Sequence, residues 1–144
     1  MKSALAIAAL AALGLGGLQG CATTQASAQA EQKKVVFQVS DADPQKWNLA
    51  LNNALNVQQD LGKDKVMIEI VAYGPGLGML KSDSKVAARL AKALDDNVGL
   101  LACENTMKNT HTSKDDMYGG ISYVPAGVVH IMQRQREGWS YVRP

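Results

Sequence analysis

Val98-Gly99-Leu100-Leu101-Ala102-Cys103-Glu104-Asn105-Thr106-Met107 is the stretch that decides the fold. Its first half is a short, nearly unbroken apolar run, as in a buried strand. Its second half has the polar composition of a first helical turn. A strand running straight into a helix, with a cysteine at the junction, is the unit of an α/β sheet.

The same unit repeats on both sides. Lys34-Val35-Val36-Phe37-Gln38-Val39 is an apolar, β-branched run and reads as a first strand. Asp43 caps a helix with Pro44 in its first position, and Trp47, Ala50, Leu51, Ala54, Leu55 and Leu61 follow close to helical spacing. Gly62 ends it. Val66-Met67-Ile68-Glu69-Ile70-Val71-Ala72 is a second strand, followed by Tyr73-Gly74-Pro75-Gly76-Leu77-Gly78, which reads either as a loop where backbone can approach a ligand closely or as a plain βα loop with a tight turn. A helix capped by Ser82 or Asp83 turns Val86, Ala87, Leu90 and Leu94 inward and stops at Asn97.

Beyond the third strand a short helix runs from Glu104 to about Asn109. His111 to Met117 forms a turn and a second short helical piece, and Gly119-Gly120 ends it. Ile121-Ser122-Tyr123-Val124 is a fourth strand. Pro125 opens a helix through about Glu137 with Val128, Val129 and Met132 facing inward, and Trp139-Ser140-Tyr141-Val142 is a fifth strand at an edge. Alternating strands and helices predict a three-layer α/β domain over residues 33–144. Its central sheet has about five mostly parallel strands, with helices on both faces.

Residues 1–21 have the parts of an export signal: Lys2, an apolar run from Ala4 to Leu18, and small residues after it. The run of about 15 residues is short for a span, which needs about 20. Two processing sites compete. Leu18-Gln19-Gly20-Cys21 resembles a lipobox with Cys21 as the lipidated residue, and Ala28-Gln29-Ala30 resembles an ordinary cleavage site. In the first case residues 22–32 are a polar tether, and Ala22 after the cysteine resembles outer-membrane sorting. Either way the chain is expected to be exported to the periplasm. The only contact with a membrane is then the lipid anchor.

Cys21 is thus cut away or lipidated, and Cys103 has no intramolecular disulfide partner in an oxidising compartment. Charge excludes other classes. The 15 Lys and Arg nearly balance 13 Asp and Glu, and no basic block exists, so nucleic acid is not an expected partner. One Phe, two Trp and four Tyr make no stacking platform.

In open α/β sheets, sites gather at the carboxyl ends of strands. Asp41 and Asp43, the Tyr73–Gly78 loop with Gly74 and Gly76, and Cys103-Glu104-Asn105 are expected to meet there. Cys103 sits near a helix N-terminus, whose N–H groups and dipole favour a thiolate. The charge of Glu104 opposes it. The competing reading is an inert packed cysteine, since cysteine is among the most buried residue types. His111 is a candidate base for the thiol or an exposed loop histidine, and His130 a surface or partly packed one. Glu104, Asp115 and Asp116 read as solvated or capping. No spacing suits zinc, no Gly-Lys-Ser/Thr follows the glycine loop, and no Gly-x-Ser-x-Gly is present. The residues call for neither metal nor cofactor.

Ala102-Cys103-Glu104-Asn105-Thr106-Met107, Val124-Pro125-Ala126-Gly127-Val128-Val129 and the closing Gly138-Trp139-Ser140-Tyr141-Val142-Arg143-Pro144 occur in an order that resembles the DsrE/DsrF-like family. The resemblance covers residues 34–144. It implies a compact five-stranded α/β domain that forms homo-oligomers, often trimers or hexamers. Sulfur-relay members carry a cysteine that accepts a persulfide sulfur from a donor protein and passes it to an acceptor. The matching position is Cys103. Export sets this chain apart from the cytoplasmic relay members. Three functions follow as expectations: sulfur transfer through a persulfide on Cys103, with the glycine loop shaping the pocket; a non-catalytic envelope module with Cys103 packed inside; or a thiol redox sensor.

Overall fold

A computed structural model describes residues 32–144. The expected export signal, the expected lipidation site at Cys21 and nearly all of the expected tether lie outside the described residues. Five strands form one sheet: β1 (Lys33–Val39), β2 (Val66–Ala72), β3 (Val98–Cys103), β4 (Ser122–Val124) and β5 (Ser140–Val142). Their order is β4-β3-β2-β1-β5 and every pairing is parallel. The expected α/β fold is what forms, with β5 on the edge beside β1. No helix among the described residues is long and apolar enough to cross a membrane.

Parallel strands need crossovers, and the helices supply them. Helix α1 (Pro44–Leu61) and helix α2 (Ala87–Asp95) connect β1 to β2 and β2 to β3. They pack on one face of the sheet, where Phe37, Ile70 and Leu100 meet Trp47, Ala50 and Leu90 in the larger core. Helix α3 (Glu104–Asn109) follows β3 directly, and helix α4 (Gly127–Arg136) lies on the opposite face. There the core is smaller: Val36, Val71, Leu101 and Val124 with Ile131 and Trp139.

The helix starts explain themselves locally. The Asp43 carboxylate accepts from Gln45 N–H at 2.8 Å, and Pro44 occupies the first turn, where no N–H is needed. Gly62 closes α1 at φ 92°, a left-handed value that costs glycine nothing. Helix α2 begins later than Ser82 or Asp83. Ser82 instead gives both its N–H and its hydroxyl to the Asp116 carbonyl, which holds that segment out of the helix. Asp116 and Ser113 form a capping box on the short turn after α3.

Four expectations are corrected. Leu61 is exposed, and buried Gln58 takes its place on the inner stripe of α1, donating to the Asp96 carbonyl at 2.6 Å. The Tyr73–Gly78 segment is not an open loop. It is a tight helical turn, Gly74–Leu80, that buries Leu77, Met79 and Leu80. Gly76 indeed permits a close approach, but to backbone and not to a ligand: a Cβ there would lie 2.3 Å from the Val39 carbonyl oxygen.

The fourth correction concerns α4. It starts at Gly127, because Pro125 and Ala126 run as an extended lead-in whose Pro125 carbonyl accepts from Asn105 N–H at 3.2 Å. Val128, Val129 and Met132 do not face inward; each is about half exposed. Ile131 is the single large apolar side chain of α4 that is buried. Burial of one isoleucine is worth about 1.5–3 kcal/mol, a thin anchor for a whole helix.

Candidate functional site

Cys103 is the last residue of β3 and the N-cap of α3. Parallel pairing aligns it with Val124, the last residue of β4. The chain leaving β4 therefore passes directly over the cysteine. Gly127, at the start of α4, points its N–H at the Cys103 Sγ across 3.2 Å. A glycine eases this contact. A Cβ on Gly127 would lie 3.2 Å from the Tyr73 Cβ and 3.3 Å from the Cys103 Cβ, tighter than side chains ordinarily pack.

Thr106 completes the cradle from the other side. Its hydroxyl accepts from Gly74 N–H at 2.9 Å and stands near enough to the sulfur to help lower the thiol pKa. The N–H groups of Thr106 and Asn105, in the first turn of α3, also favour the thiolate, although that of Asn105 is itself bonded to the Pro125 carbonyl. Burial of Cys103 (5 % exposed) favours the neutral thiol. The donors, with Gly127 N–H foremost, outweigh it and hold the thiol below its ordinary pKa. Among the described residues Cys103 is the free cysteine of the chain.

The other expected site residues divide. Tyr73 continues the row of Cys103: Ala72 pairs with Ala102 and with Val39, so Tyr73 stands between Cys103 and Ser40 at the carboxyl edge of the sheet. Burial and the neighbouring Tyr141 raise its pKa and keep it a neutral phenol, with smaller opposing effects from Arg143 and the Ser40 hydroxyl. Gly74 acts through its N–H on Thr106, and Asn105 through its N–H. Gly76 is packed against β1.

Glu104 and His111 are not brought to the sulfur. Glu104 reaches toward Lys114 at 3.8 Å. His111 sits exposed past the far end of α3 at φ 52°, in a groove with Lys108 and Lys114. Neither is among the groups that act most on the thiol. Asp43 is spent on its helix cap, and Asp41 pairs with Lys46 at 3.1 Å and Arg143 at 3.9 Å. A separate cleft of about 290 Å³ between α1 and α2 lies on the opposite side of the sheet. Its polar wall is Asp96, whose carboxylate is held ionised by Lys63 and Lys92 at 2.5 and 2.6 Å.

Three residues absent from the expected site stand behind it. Glu69, on β2, takes a bidentate bond from Arg134 (Nε at 2.9 Å, Nη2 at 2.7 Å) and a bond with His130 Nε2 at 2.7 Å. Burial raises the Glu69 pKa, but Arg134 and His130 together carry it below the ordinary carboxylate range. Arg134 also bonds Glu137 at 2.7 Å and lies 4.7 Å over the Trp139 ring. Gly99, beside Glu69 on β3, leaves it room: a Cβ there would meet the Glu69 Cγ at 3.3 Å. The signal was present in the sequence. Glu69 is the one charged residue in an apolar strand, and His130 and Arg134 are four apart on one helix face.

No protein-family model and no curated protein matches the sequence. Solved structures do. The protein MTH1491 of Methanobacterium thermoautotrophicum is 36% identical with a TM-score of 0.74, over 78% of this chain and 99% of that one. BT1422 of Bacteroides thetaiotaomicron matches at a TM-score of 0.65 and 14% identity, over 81% of this chain and 99% of that one, and shares the fold. Both are described as proteins of unknown function.

Proposed function

This chain belongs to the same family as the methanogen protein MTH1491, whose function is unknown, and from the site itself we propose that it is a sulfur carrier working through Cys103. The observation that carries the reading is the polar set around a buried sulfur: Gly127 N–H bonded to it at 3.2 Å, with the first turn of α3 and the Thr106 hydroxyl near enough to favour the thiolate. An inert packed cysteine needs no such set, because a neutral thiol is a weak acceptor. A thiolate does need one, and a thiolate is the form that attacks sulfur.

The Cys103 thiolate attacks the outer sulfur of a donor persulfide, R–S–SH. A sulfur–sulfur bond forms to Cys103, the donor's own sulfur–sulfur bond breaks, and the donor leaves as R–S⁻. The proton stays on the transferred sulfur, and there is no net oxidation. In release, an acceptor thiolate attacks that outer sulfur and Cys103 departs as thiolate. The same N–H donors serve both steps, since a lower thiol pKa also makes a better leaving group. The donor and acceptor are thiol proteins or small thiols, and no cofactor takes part.

The test is the intact mass of the native protein after exposure to a low-molecular-weight persulfide. One added sulfur, lost on treatment with a thiol and absent in Cys103→Ser, is expected. No gain, or a gain that persists in Cys103→Ser, overturns the proposal. The second reading, a non-catalytic module with a packed cysteine, draws on the 5 % exposure of Cys103. It requires that the native thiol resist alkylation until the protein unfolds.

A further inference from the structure

The N–H of Gly127 reaches Cys103 only if α4 sits at one depth and one rotation on the sheet. What sets that position is not apolar packing. Ile131 is the one large buried side chain of the helix, and Val128, Val129 and Met132 look outward. The helix cap Ala126 adds no side-chain bond. The remaining polar ties between α4 and the sheet, among the described residues, are the bonds of His130 and Arg134 to Glu69.

These ties are built to locate, not merely to attract. The planar guanidinium meets the carboxylate through two parallel bonds, which fixes distance and orientation together. His130 bonds the same carboxylate one turn nearer the cysteine, so two successive turns of α4 are pinned to one point on β2. Glu69 is itself immobile, with a side chain only 13 % exposed, set in a strand paired on both sides. Gly99 beside it provides the space the carboxylate occupies.

We propose that Glu69, acting through Arg134 and His130, is a positioning residue that holds the start of α4 against Cys103 and so keeps the thiolate cradle assembled. This rests on the sulfur-carrier reading for its use, but not for its test. Arg134 and His130 are charged or polar partners on the helix; Glu137 and the Trp139 ring share Arg134 and steady it from the chain that follows. Removing the carboxylate leaves Arg134 and His130 without their partner on the sheet, and α4 is then held there only by Ile131 and the Gly127 contact itself.

The experiment is the rate of native alkylation of Cys103 against pH, with thermal melting measured beside it. Glu69→Ala is expected to move the thiol titration up by about one unit, about tenfold less thiolate at neutral pH. Glu69→Gln and Arg134→Lys, which keep part of the bonding, are expected to move it less. Val86→Ala, in the core on the other face of the sheet, is the control for lost stability and is expected to leave the titration in place. If Glu69→Ala does not fold, Glu69→Gln and Arg134→Lys carry the test against the same control. An unmoved titration in the Glu69 and Arg134 variants, or an equal shift in Val86→Ala, overturns the proposal. A wild-type protein that takes no sulfur while the variants shift the titration overturns the carrier reading and leaves this one standing.

Discussion

Gly127 and Cys103, 24 positions apart in the chain, are joined by an N–H to sulfur bond of 3.2 Å at a point where a side chain on residue 127 would crowd Tyr73 and Cys103. The bond couples the end of β3 to the beginning of α4. It makes thiol chemistry and packing two readings of one contact.

Gly127→Ala therefore has a double cost. The added methyl group must push aside the Tyr73 side chain or the Cys103 Cβ, an overpacking expected to destabilise by about 1–3 kcal/mol. It also lengthens the bond to the sulfur. Denaturant unfolding is expected to show the first effect, and a higher alkylation midpoint the second. A variant that loses stability while its thiol titrates as in the wild type would separate the two and count against the coupling.

Thr106 is tested by a pair of substitutions. Thr106→Val keeps the shape but strips the hydroxyl, leaving the Gly74 N–H without its acceptor and the thiolate without one polar neighbour. A loss of about 1–3 kcal/mol is expected for the unpaired group, with slower alkylation at neutral pH. Thr106→Ser retains the hydroxyl and is expected to recover most of both. Equal behaviour of the two variants would place the role of Thr106 in its methyl group.

The thiol also leaves a mark on stability. Its folded pKa lies below the ordinary thiol value, so in the window between the two the unfolded state binds more protons. Stability relative to Cys103→Ala is expected to climb as pH rises from the folded pKa toward about 8.5, then to level off. As pH falls through the folded pKa the contribution disappears. Parallel stability curves for the two proteins across this range would mean the thiol is not perturbed by folding.

His111 supplies a negative control. It stands exposed beyond the far end of α3 and acts on no atom of the cradle. His111→Ala is expected to leave both the alkylation profile and sulfur uptake unchanged within about twofold. A tenfold loss would restore it as the base for Cys103.

The strands were legible because each is a short apolar run closed by a turn residue, and the parallel order followed from their alternation with helices. Cys103 was legible for the same reason, as the end of such a run. Its strongest partner was not. Gly127 lies in a stretch that stands out in the sequence, but its contact with the sulfur depends on β4 lying beside β3, which no local pattern specifies. The glycine loop misled in a different way: Gly76 is needed for an approach of backbone to backbone, and composition does not say what approaches. The inner face of α4 was misassigned because Val128, Val129 and Met132 are apolar. The side that faces the sheet is instead marked by Ile131 with His130 and Arg134, a mixed stripe that a count of apolar residues passes over.

The thin anchoring of α4 also bears on how anything gets in. A helix tied down by one isoleucine and one carboxylate is a segment expected to open without the rest of the sheet unfolding. When it lifts, Cys103 loses its cover and its strongest donor together, and when it settles both return. Amide exchange is expected to show α4 opening at lower free energy than β1, β2 and β3, and native alkylation is expected to follow that opening. Exchange of α4 as slow as that of the central strands would rule this out. A sulfur shielded at rest and bared only in passing is sheltered from stray oxidants and still within reach of a reagent that waits for the opening.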